Sequence, residues 1–207
     1  RLQKFVASPL RSLWPTALRK FGRVARSRTN TFFGARMTVL VPELVSSTIY
    51  RYGFFEEDVA FYMLSTLEPG DSFFDVGAHF GFFSLLAANL VGADGLVVSF
   101  EPMERTREVL SENLAAGAQS GKLVFRDFGV LGSAFATSNA PRGGETGEQK
   151  FVEVAVTTVD EVVGAKGIKS LKLMKIDAEN AELEVLLGAA ATIASLRPLI
   201  IVEAGDP

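Results

Sequence analysis

Two patterns of apolar and polar positions alternate along most of the chain. Short, largely apolar stretches at 72–76, 96–100, 122–127, 171–176 and 199–203 predict strands. Apolar positions at helical spacing between them predict helices over 80–91, 103–116 and 179–191. Upstream, Phe55, Val59, Tyr62 and Met63 share one helix face within 54–67, and Glu68-Pro69-Gly70-Asp71 stops that helix. Residues 151–157 alternate as a strand, and Thr158-Val159-Asp160-Glu161 has the form of a capping box that starts a short helix. Asp160 and Glu161 are therefore assigned to capping. Gly143-Gly144-Glu145-Thr146-Gly147 marks an exposed loop. Nearer the start, residues 2–28 are helix-like in parts, broken by Pro9 and Pro15, and 31–41 reads as a short hairpin turning at Gly34 and ended by Pro42. Alternating strands and helices predict an α/β fold, a mostly parallel sheet with helices on both faces.

Composition narrows this picture. With 207 residues and 48% apolar content, the chain can build one substantial core. It has no cysteine, which excludes disulfides, thiolate metal sites and a cysteine nucleophile, and fits a reducing, cytoplasmic setting. Two stretches resemble membrane spans but are interrupted, 82–100 by Gly92-Ala93-Asp94-Gly95 and 183–202 by Glu184, Gly188 and Arg197-Pro198. Neither supplies the roughly 20 continuous apolar residues a span requires. The first residue is Arg1 and not Met, so the chain is expected to be a piece of a longer one.

Charge divides the chain in two. Residues 1–42 carry nine basic side chains and no acid, whereas the remainder is net −12. The expected organisation is a helical basic extension over 1–42 and a ligand-binding domain over 43–207. Residues 1–28 of the extension are expected to pack on the acidic body or on the partner subunit of a homo-oligomer, and not to enter a bilayer, because prolines interrupt a long amphipathic face. A nucleic-acid partner is not expected.

The candidate chemistry lies at the carboxyl ends of the predicted strands, which carry Asp75, Glu101, Asp127, Asp177 and Glu203. In an open α/β sheet these ends face one ligand crevice. Asp75-Val76-Gly77-Ala78-His79-Phe80-Gly81 is an acid followed by a glycine turn, D-x-G-x-x-x-G, and Phe100-Glu101-Pro102 follows on the next strand. A dinucleotide fold would instead show G-x-G-x-x-G with a pyrophosphate over the helix start. Asp75 would repel a phosphate and suits a cation, while Glu101 is placed to accept bonds from ribose hydroxyls. This combination points to S-adenosylmethionine, an adenosine bearing a sulfonium and an ammonium. The cofactor-binding candidates are Asp75, Gly77, His79, Gly81, Glu101 and Asp127, with Asp127 placed toward the adenine. The catalytic candidates are Asp177 and Glu179 on the acceptor side. A divalent cation is compatible with these acids, but no ligand spacing demands one.

These segments resemble the FkbM family of S-adenosylmethionine-dependent methyltransferases. The resemblance rests on 74–81, on Phe100-Glu101-Pro102 and on Lys175-Ile176-Asp177-Ala178-Glu179-Asn180-Ala181-Glu182. Ile49-Tyr50-Arg51-Tyr52-Gly53-Phe54-Phe55-Glu56, Leu67-Glu68-Pro69-Gly70-Asp71 and Thr157-Thr158-Val159-Asp160 add to it, so that it covers roughly 38–207. It implies a Rossmann-like class I methyltransferase fold and O-methylation of a small hydroxylated molecule or sugar, of the natural-product or polysaccharide type. Three departures stand out. His79 replaces the family's usual Asn, Asn180 replaces the usual Gly, and the last two of seven strands are missing. The missing strands and Asn180 keep open a second reading, a methyltransferase-fold binding or scaffold protein with weak or no turnover. A nicotinamide oxidoreductase is disfavoured by Asp75 and the glycine spacing. Base methylation is disfavoured because Asp177 is followed by Ala-Glu-Asn and not by an Asn/Asp-Pro-Pro-aromatic motif.

Overall fold

The computed structural model describes residues 9–117, 122–126, 129–130, 156–178 and 180–203. Helix α1 (Pro9–Lys20) leads into an antiparallel hairpin of β1 (Ala25–Asn30) and β2 (Arg36–Val41), in which Ala25 faces Val41 and Asn30 faces Arg36. The hairpin turns around Gly34 as expected, but its first strand lies in a stretch read as partly helical. That strand is Ala-Arg-Ser-Arg-Thr-Asn, whose one fully buried residue is Thr29, so no apolar alternation marks it. Pro9 opens α1, and Pro15 lies inside it without ending it. Met37, Val39 and Val41 of β2 enter the same apolar cluster as Phe73 and Leu86.

Helix α2 (Leu44–Tyr52) was not expected from the pattern. Its N-terminus is capped by a glutamate, an uncommon residue for the role. The Glu43 carboxylate accepts the N–H groups of Val45 and Ser46 at 2.8 and 2.6 Å. Then come α3 (Glu57–Thr66), β3 (Ser72–Val76), α4 (Phe82–Val91), β4 (Leu96–Phe100), α5 (Glu104–Gly117) and β5 (Lys122–Arg126). A short parallel pair, β6 (Gly129–Val130) and β7 (Val156–Thr157), precedes α6 (Val159–Lys166), β8 (Leu173–Ile176), α7 (Glu182–Leu187), α8 (Ala190–Leu196) and β9 (Leu199–Val202). The expected capping box at α6 is formed.

The single helix expected over 179–191 is two. Gly188 separates them, where an added Cβ would be in ordinary contact with the Thr158 side chain at the start of α6, 3.4 Å away. Asp160, read as a cap for its own helix, instead caps α8, accepting the N–H groups of Ala191 and Thr192 at 3.0 and 2.7 Å. Asp127, Glu179 and the segments 143–147 and 151–155, each given a role from the sequence, lie outside the described residues.

The main sheet is five-stranded and parallel, in the order β5-β4-β3-β8-β9. Phe73 and Leu173 face an apolar cluster shared with α4 and α5, and Phe74 and Met174 face a second one shared with α6 and α7. Helices therefore cover both faces, and β3 and β8 are buried along their whole length. The chain runs outward from β3 through β4 to β5, then returns to β8 on the other side of β3. The crevice of such a sheet opens at that reversal, beyond the carboxyl ends of β3 and β8.

Candidate functional site

The turn after β3 is fastened to both neighbouring strands. The N–H groups of Gly77 and Ala78 both donate to the Phe100 carbonyl, at 3.0 and 2.9 Å, and the Asp177 N–H donates to the Val76 carbonyl at 3.0 Å. Gly77 has φ +80°, and a Cβ there would lie 1.7 Å from the Asp177 carbonyl oxygen. Gly81 has φ +87°, and a Cβ there would lie 2.5 Å from a Leu110 methyl on α5. Sequence reasoning assigned both glycines to ligand approach. The chain's own backbone packing also requires Gly77, whereas at Gly81 the facing atom is the end of a flexible leucine side chain and the positive φ is what favours glycine.

Glu101 at the end of β4 closes the turn. It is only 5% exposed. Its Oε2 accepts the His79 N–H and its Oε1 the Met103 N–H, both at 2.9 Å. Each oxygen keeps a further lone pair for a ligand donor. Burial pushes this carboxyl up to about 7, and the two backbone donors pull it back only in part. His79 sits at φ +49° with its ring centroid 3.8 Å from that of Phe80. Burial pulls its pKa down, which favours the neutral imidazole.

Beneath the turn, register places Ser99, Asp75 and Lys175 side by side on one face of the sheet. Asp75 is fully buried, and its Oδ2 accepts the Ser84 hydroxyl at 2.5 Å. The Ser84 and Ser99 hydroxyls are 2.8 Å apart, while Asp75 Oδ1 has no hydrogen-bond partner among the described residues. Burial raises the Asp75 carboxyl, opposed by the Lys175 charge and the Ser84 bond. Lys175 is 3% exposed, donates to Asp177 Oδ2 at 2.8 Å and lies 5.1 Å from the centre of the Phe83 ring. It was not among the expected site residues. The signal was present in the sequence, a lysine inside the apolar strand Leu-Met-Lys-Ile with an acid two positions on, on the same strand face.

At the mouth of the crevice, Asp177 meets Glu56 and Glu203, and oxygens from the three carboxylates lie within 4.8 Å of one another. Glu203 is pushed up to about 7, first by its hydrogen bond with Asp177 and then by that residue's charge. Burial raises Glu56. Such oxygens suit a hard cation, but the Lys175 ammonium already neutralises part of their charge. Glu182 turns away from this group. Its Oε1 accepts the N–H groups of Ala178 and Asn180 at 2.9 and 3.2 Å, so it shapes the turn after β8.

Asp75, Gly77, His79, Glu101 and Asp177 thus converge on the β3–β8 crevice, with Gly81 at the foot of α4. Residues 75–207 match the methyltransferase FkbM domain. The chain belongs to the FkbM methyltransferase family. It is 28% identical over 158 residues to the 31-O-demethyl-FK506 methyltransferase FkbM of Streptomyces tacrolimicus, a match covering 59% of this chain and 60% of that protein. The chain therefore spans about three-fifths of the length of that curated relative. Among solved structures it resembles a precorrin-6y C5,15-methyltransferase from Geobacter metallireducens, with 18% identity, 73% of this chain and 63% of that chain covered, and a TM-score of 0.44. It also resembles an SAM-dependent O-methyltransferase from Thermotoga maritima, with 16% identity, 83% and 55% covered, and a TM-score of 0.38. The Rossmann-like class I methyltransferase fold is the arrangement described above.

The two side-chain departures from the FkbM pattern both fall in left-handed backbone. His79 has φ +49° and Asn180 has φ +77°. Asn and Gly take this conformation most readily, and His is enriched there too. Asn180 therefore keeps the turn that the family's usual Gly provides.

Proposed function

We propose that this chain is the cofactor-binding part of an S-adenosylmethionine-dependent O-methyltransferase whose acceptor is a hydroxyl of a small molecule or sugar. The observation that carries it is the direct contact between the Gly77 turn and Asp177, which joins a cofactor-type turn to a partly exposed carboxylate. The donor set suits a ligand with two positive centres and a ribose. Glu101 offers two half-used oxygens to the ribose hydroxyls, and the orphaned Asp75 Oδ1 adds negative charge below the turn. The turn 77–81 would flank the nucleoside, with His79 as a contact and Asp127 toward the adenine. When bound, the cofactor supplies an activated methyl group.

The protein's own task is to orient the acceptor and take its proton. Asp177 is assigned as the base, with Glu179 beside it in sequence, and Lys175 holds the Asp177 carboxylate in place through the 2.8 Å bond. Glu203 stands next to it and can share the acquired proton. Methylation at oxygen also accords with the name of the Streptomyces relative. The test is methyl transfer from labelled S-adenosylmethionine to a panel of hydroxylated acceptors. Asp177→Asn should lower turnover by about 10²–10⁴-fold, the usual worth of general-base catalysis, with little change in affinity for S-adenosylhomocysteine. Near-normal turnover in that variant would remove Asp177 from the chemistry.

A further inference from the structure

Helix α1 is seated on the body through Ser12, Pro15 and Leu18, the last a member of the main apolar cluster, and turns a second apolar face outward. Ser12 and Leu18 are buried. Arg51 donates to the Ser12 carbonyl and Arg19 to the Pro42 carbonyl, both at 3.3 Å, and the Arg11 guanidinium lies 5.6 Å from the centre of the Tyr50 ring. The buried side also includes Pro15, so the proline does not interrupt the outer face. On that outer face Leu13 is 55% exposed and Trp14 45%. Phe21 follows in the same helical register, its N–H bonded to the Ala17 carbonyl at 3.1 Å, and is 71% exposed. Val24, just beyond, is 56% exposed. Leu13, Ala17 and Phe21 are spaced by four, and Trp14 and Phe21 by seven, which forms one stripe.

Exposed Lys20 and Arg23 flank this stripe, within a segment that has no acid before Glu43. The Glu43 carboxylate is itself engaged by two backbone N–H groups. An aromatic and aliphatic stripe edged by lysine and arginine has the chemistry of a helix lying in a lipid interface. Pairing of two such faces between copies would set like charges against each other. A nucleic acid would use the charges and leave the apolar stripe without a partner. We propose that α1 and the turn after it dock on an anionic membrane surface, with Trp14 and Phe21 at the headgroup boundary and Lys20 and Arg23 against lipid phosphates. This surface attachment involves no span and stands independently of the proposed methyl transfer.

Trp14 is the chain's one tryptophan, so its emission reports on this face directly. The full chain is titrated with phosphatidylcholine vesicles and with vesicles containing added phosphatidylglycerol, following emission and co-sedimentation. The expected result is a blue shift and sedimentation with the anionic vesicles alone. Lys20→Gln and Arg23→Gln should each weaken partitioning roughly fivefold, the effect of losing one basic residue at such a surface. Phe21→Ser, at an exposed position, should weaken it while the thermal melt stays unchanged. Unchanged Trp14 emission with anionic vesicles would overturn the proposal. So would a dimer whose emission is already shifted before lipid is added, or a shift produced by an oligonucleotide and not by vesicles.

Discussion

Lys175 is the residue on which the site's electrostatics turn. It is a buried cation between a buried acid, Asp75, and a partly exposed one, Asp177. Burial opposes its charge, while Asp75 and Asp177 favour it strongly enough that its pKa lies above the ordinary lysine value. Removing one partner of a buried charge group typically costs about 3–5 kcal/mol. Lys175→Met should destabilise the fold on that scale near neutral pH, and the sign of its pH dependence follows from Asp75. Burial already holds that carboxyl above its unfolded value, and loss of the ammonium raises it further. Stability in the variant is therefore lost as pH rises through the raised value and recovered once Asp75 is protonated. Urea unfolding at about pH 5 and about pH 8 measures this. A deficit that shrinks under acid is expected, and an equal deficit at both values would mean that Lys175 contributes packing alone.

At the scale of elements, the unit from β3 through its turn to α4 sets the site, and Gly77 is its tightest point. A methyl group there meets the Asp177 carbonyl at 1.7 Å on a backbone with positive φ. Gly77→Ala should cost about 3 kcal/mol or more through strain and overpacking, read as a lower urea midpoint with or without ligand. If the glycine served ligand approach alone, the unliganded protein would keep its stability. Strands β3 and β4 were legible to the residue, because each is a short, largely apolar stretch bounded by turn residues. The capping box of α6 was legible for the same local reason. Strand β1 was not, since its stability comes from pairing with β2 and not from an apolar face. Nor was Glu56, which reaches Asp177 and Glu203 only because the chain enters α3 through a left-handed residue. Acids at strand ends, Glu203 included, could be read from the sequence, and Lys175 left a local signal there, while the meeting of these groups with Glu56 required the assembled sheet.

Across the whole molecule, charge and topology divide the labour. The acidic groups gather where the order β5-β4-β3-β8-β9 reverses, and the basic segment lies on the first helix and hairpin. The pairing of β3 with β4 and with β8 makes Asp75, Glu101 and Asp177 neighbours although they span about a hundred residues of sequence, and the ligand crevice opens among them. Titration calorimetry with S-adenosylhomocysteine tests ligand binding there most directly. Ribose hydroxyls donate to the ionised form of Glu101, whose carboxyl lies at about 7, so affinity should rise as pH increases through that value. Losing a hydrogen bond to a charged group costs about 1.5–3 kcal/mol, so a folded Glu101→Ala variant should bind roughly 10–150-fold more weakly. Equal affinity in the wild-type chain and that variant, or no binding to the wild-type chain at any pH, would contradict the account.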